Sequence, residues 1–227
     1  MLKSIQAWLW SPGPTWHYKR IWLHALLATL GLNLLAFGLF SAIGVSAHDI
    51  FLEDGPIEDL QSLSLALTAI LAALAATRLS ILSRYVAITT ACIASVFFMR
   101  EMPICRGDVP VFCVSKTWLP ISIAMIAVML LLATLLFELR HRGGLSRAIH
   151  PRLSWPLVFT AAVLGASQAA EHFDIVVAEE TLESYGFMIL VMSAIWLFRF
   201  SRRQPTEPLK LRAKAGIHKL LHPLSHR

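Results

Sequence analysis

Most of the residues in this chain that could do chemistry are carboxylates, and their spacing is ordered. Asp54, Glu58 and Gln61 are four and then three residues apart, so on a helix they form one stripe. Glu179 and Glu183 repeat the first interval, and Gly186 stands in the third place. Gln168 and His172 are four apart with Glu171 beside them, and Arg100 and Glu101 are adjacent. A carboxylate cluster with a histidine suits a divalent cation such as Zn, Mn, Fe, Mg or Ca. Carboxylates crowded near hydrocarbon can also share protons, or pair with cations such as Arg100, Arg106 or Lys116.

The elements that must position these groups are membrane helices. The chain has 227 residues, is 56% hydrophobic and is only 15% charged; its mean hydropathy is +0.64. Soluble domains carry about 25% charge. Apolar runs of about 20 residues recur along the sequence, the length that crosses a bilayer. They predict six spans, over about Ile21–Val45, Ile57–Thr77, Tyr85–Met99, Trp118–Leu139, Trp155–Phe173 and Glu180–Phe200. The expected fold is all-α: a polytopic integral membrane protein with six transmembrane helices arranged as three hairpins. Residues 1–20 form an amphipathic segment and residues 21–203 the membrane domain. The basic tail over 204–227 places Ile217, Leu220, Leu221 and Leu224 at helical spacing.

The stretch from His48 to Asp59 and the stretch from Phe173 to Ser184 match in kind without a gap. Asp49-Ile50 falls on Asp174-Ile175, Asp54 on Glu179, Ile57 on Leu182 and Glu58 on Glu183. Each stretch joins two apolar runs. The first and third hairpins therefore read as parallel internal repeats, a design that often places a site between the copies.

Charge orients the expected bundle. With six spans, all of the 20 Lys and Arg except Arg100, Arg106 and Lys116 fall on the side of the termini. The positive-inside rule puts that side in the cytoplasm of a bacterial-type inner (plasma) membrane, with the acidic hairpin tips outside. Of the 14 acidic residues, only Glu138 and Glu207 leave the outer side, although acids contribute little to orientation. Cys105 and Cys113 share the one outer loop that needs bracing, and an oxidising exterior would let them form a disulfide. Cys92 reads as core packing.

Other classes are excluded by what the chain lacks. The basic residues lie between spans and give no nucleic-acid footprint. No Gly-rich phosphate loop, Gly-x-Ser-x-Gly elbow, Cys-x-x-Cys or His-Glu-x-x-His is present, so no nucleotide is expected. His24 and His172 belong to opposite membrane faces, so no haem is expected. Helix capping alone accounts for acids in a first helical turn, and Glu53, Asp59 and Glu180 read equally well as solvated loop. Glu58 and Glu183 lie a full turn inside their helices, too deep for caps.

These residues suggest an outward-facing site. Glu58 and Glu183 would act as general acid and base or as metal ligands. Glu101, His172, Asp54 and Glu179 would be further ligands of a divalent metal ion, and Arg100 an anion contact. The substrate would be a lipid or a lipid-linked headgroup, and the chain a metal-dependent membrane hydrolase or transferase. The alternatives are a non-catalytic assembly subunit that binds a membrane protein partner through its acidic rim, and a proton- or cation-coupled transporter.

Overall fold

The computed structural model describes residues 20–51, 55–105, 113–173 and 175–203. Apart from Arg20, the N-terminal segment expected over 1–20 lies outside them, as does the tail expected over 204–227. Among the described residues the regular structure is helical, with no strand. The long helices are α1 (Ile21–Ala42), α3 (Pro56–Arg78), α4 (Ile81–Glu101), α5 (Trp118–Arg140), α7 (Pro151–His172) and α8 (Val176–Arg203); α2 (Ala47–Ile50) and α6 (Gly144–Ala148) are single turns. Among the described residues, six helices are long and apolar enough to cross a membrane.

Several helices outrun the apolar runs that announced them. α4 continues through Arg100 and Glu101, and α8 begins at Val176, before its acidic residues. Near hydrocarbon the backbone keeps its hydrogen bonds by staying helical, even where the side chains turn polar. The acidic groups are thus carried on rigid helix ends.

The joins have local causes. Gly55 takes the extended cap position of α3 and Pro56 opens the helix, where its missing N–H costs nothing. Between α3 and α4, the Nε of Arg84 donates to the carbonyls of Ala76 (3.0 Å) and Leu79 (3.1 Å), satisfying orphan acceptors at the end of α3. Glu138 near the end of α5 accepts from the backbone N–H of Gly143 (2.7 Å) and Leu145 (2.8 Å). It thereby fixes the turn in which Gly143 adopts a φ of 73°.

α8 is the centre of the bundle. It packs on α3, α7 and α1, and touches α4, while α3 and α4 lie tightly together. Its buried stripe runs through Glu180, Glu183, Ser184, Phe187, Leu190 and Ala194, with Phe187 against Leu65, Ala94 and Leu164 in the core. α5 stands at the edge against α4, and none of its residues is buried.

The two segments read as repeats pack unequally. α7 and α8 share a long interface, whereas α1 meets α3 only slightly and rests mainly on α8. Between α1 and α3 the tip folds inward: Ile50 is fully buried against Ala36 and Ile57.

Candidate functional site

One end of the bundle gathers the C-termini of α4 and α7 with the N-termini of α3 and α8. Each helix contributes a polar side chain there. The Arg100 Nε donates to Glu101 Oε1 at 2.8 Å, and its Nη2 donates to Glu183 Oε1 at 2.7 Å. Ser167 of α7 donates to the same Glu183 oxygen at 3.2 Å. Glu101 and Glu183 are buried, while the Arg100 side chain is 44% exposed. Its guanidinium also stands 5.8 Å over the ring of Phe97.

A second network adjoins the first. The Nε2 of Gln61 donates to Glu180 Oε2 at 2.8 Å, and it also lies 3.1 Å from Ser184 Oγ and 3.2 Å from the Glu180 carbonyl. Both Gln61 and Glu180 are buried. Glu58, half-buried one turn before Gln61, is close enough to Glu101 and Glu180 to act on both electrostatically, and Glu180 and Glu183 act on each other. Among the described residues, Glu101 and Glu183 share the Arg100 guanidinium, and Glu58 and Glu180 lie within electrostatic reach of these carboxylates; so many acidic groups in a poorly solvated site call for protons, pairing or a cationic ligand.

The predicted residues divide as follows. Glu58, Glu101, Glu183 and Arg100 belong to this cluster. Glu179 is half-buried in the first turn of α8 and acts on Glu180. Asp54 lies outside the described residues. His172 is exposed at the end of α7, with its ring against Phe173 at 5.5 Å between centroids. Among the described residues, the hydrogen bonds and ion pairs of the cluster do not include it. His172 lies five positions after Ser167 on the helix, which turns them about 140° apart around the axis. Ser167 faces Glu183, and Gln168, Glu171 and His172 are exposed. Among the described residues, no three His, Cys, Asp or Glu side chains stand together so as to hold a metal ion.

Two participants were missed in the sequence reading. Glu180, placed there with the solvated loop, is buried and bonded to Gln61. The signal was its spacing: Glu180, Ser184 and Phe187 are four and then three residues apart on the face that packs inward. Ser167 was missed because the polar Gln168 and His172 outweighed it.

Cys105 and Cys113 form a disulfide, with Cα atoms 5.0 Å apart. The backbone beside it is pinned as well: the Cys105 N–H donates to Val114 at 3.0 Å, and the Val114 N–H donates to Pro103 at 2.8 Å. The bridge ties the loop just after Glu101 and so anchors the end of α4 that carries the guanidinium. No protein-family model, curated protein or solved structure matches this chain.

Proposed function

We propose that this chain is a multi-pass enzyme of a bacterial-type inner membrane that performs acid–base chemistry on the headgroup of a lipid or lipid-linked molecule at the outer face. One observation carries the reading: the buried Glu101 and Glu183 hold one partly exposed guanidinium at ends of α4 and α8, with Glu58 and Glu180 within electrostatic reach of these carboxylates. Ionisable groups placed in spans are expensive, and function is the usual reason they are kept.

In this reading Glu58, half-buried where the other three glutamates are buried, transfers the proton. Glu180, held by Gln61, is its partner. Glu101 and Glu183 hold Arg100 so that its guanidinium meets negative charge as it develops on the substrate. A divalent cation would draw on Glu58, Glu101, Glu180 and Glu183 as ligands only after side-chain movement that brings them together.

The test uses the protein purified in native-lipid nanodiscs. Lipid extracts are followed by mass spectrometry, and metal content by elemental mass spectrometry. The expected result is conversion of a lipid or lipid-linked species that falls at least about 100-fold in Glu58→Gln, the size of a lost proton-transfer group, while the variant remains folded. Turnover unaffected by Glu58→Gln, or no species consumed, would remove the reading. A stoichiometric metal lost with the glutamates would make the chemistry cation-assisted.

A second reading, a non-catalytic assembly subunit, is favoured by α5. This is the most apolar of the six helices, and nothing in it is buried. Cross-linking from introduced cysteines along α5 to a second membrane protein would support that role.

A further inference from the structure

The carboxylate cluster has an inner neighbour. Asn33, near the middle of α1, is 8% exposed, and both Nδ2 and Oδ1 of its side chain lack a hydrogen-bond partner among the described residues. Gln61 is 3% exposed, and among the described residues its Oε1 lacks one too, although its Nε2 is engaged by Glu180 and Ser184. Thr29, Thr68, Thr90 and Ser193 show the ordinary solution for a buried hydroxyl, a bond to the carbonyl one turn back. An amide has no such recourse when both of its ends are free. Buried polar groups without partners are exceptions that call for a cause.

Both amides line the same small cavity between α1, α3 and α8. Ser64 and Ser184 stand beside them, and Phe187 and Met188 are part of the lining. The space open to the centre of a water molecule is about 10 Å³, room for one water.

We propose that this cavity binds one water molecule, which joins Asn33 to Gln61 and so holds the Gln61 amide that clasps Glu180. The unmet groups are two carbonyl oxygens and an N–H donor. A bare cation would satisfy the oxygens and leave the donor unmet; an apolar occupant would satisfy none of them. Water supplies donors and an acceptor in the volume available. Asn33 is then a positioning residue, acting on Glu180 through water and Gln61. The proposal stands whether or not the cluster is catalytic.

Radiolytic hydroxyl labelling in nanodiscs, read by mass spectrometry, tests it, because trapped water oxidises the side chains around it. In the wild type, Met188 should be oxidised several-fold more than Met125 and Met129, which are exposed on α5. Asn33→Leu, which fills the cavity, should bring Met188 down to their level. Asn33→Ser, which keeps a hydroxyl and leaves room, should retain the labelling. Met188 labelled no more than Met125 and Met129 in the wild type would show a dry cavity and overturn the proposal. So would labelling unchanged in a folded Asn33→Leu protein. If Asn33→Leu fails to fold, the wild-type comparison and Asn33→Ser still decide the matter.

Discussion

Arg100 holds the charge of the site together, and single changes around it should differ in cost. Arg100→Gln leaves Glu101 and Glu183 buried without their cation. It should lower stability by about 3 kcal/mol, the low end for a broken buried pair, since Arg100 itself is partly exposed. Glu101→Gln leaves the guanidinium paired with Glu183 and should cost under about 1 kcal/mol. Thermal unfolding in a mild detergent measures both. Replacing Arg100, Glu101 and Glu183 together with Met, Leu and Leu should recover most of the loss, because apolar packing often equals or exceeds a buried ion pair. A recovered fold would mean that the cluster is not there to hold the bundle together. Gln61→Leu removes the donor to Glu180 and should cost about 1–3 kcal/mol, the penalty of a buried acceptor left unbonded.

At the scale of elements, existence was legible and facing was less so. Long apolar runs announced all six helices because hydrocarbon leaves the backbone no other solution. Their polar ends were cut short in the reading, since a hydropathy signal stops where Arg100 or Glu180 begins, although the helix does not. Facing was harder, because a span in lipid is apolar all round and its inward side carries little hydrophobic contrast. The stripe on α3 that holds Glu58 and Gln61 was read correctly from their spacing. On α7, Ser167 faces inward while His172 points away, and only a neighbouring helix decides between them. The repeat comparison gives no sign of Glu180, whose counterpart at the same offset is Gly55, a cap. Gly186 shows what did set the α7–α8 contact: a Cβ there would lie 3.0 Å from Leu164 Cδ2. Gly186→Leu should destabilise the protein by about 1–3 kcal/mol through overpacking. Gly165→Ala, with open space around its Cβ position, should be nearly neutral. Comparing the two in the same unfolding assay separates close packing from a general effect of substituting glycine.

For the whole molecule, the proposed orientation makes a direct prediction. A periplasm-dependent phosphatase fused within residues 106–112 should be active, and one fused after Arg203 should be inactive; the reverse pattern would invert the bundle. The disulfide belongs to the same test, since Cys105 and Cys113 should resist alkylation until reduced in a cell with an oxidising exterior. The central place of α8 also bears on how the bundle comes to exist. Membrane chains insert their spans one after another as they are synthesised, and the spans associate afterwards. The helix that gathers α1, α3, α4 and α7 is the last of the described helices to leave the ribosome. Until then α1 has its main partner still to come, and Asn33 and Gln61 wait in lipid beside an unfinished wall. Nascent chains stalled before Val176 should be inserted yet unassembled, and open to membrane quality-control proteases. Resistance should arrive in one step, with the segment that brings Glu180 and Glu183.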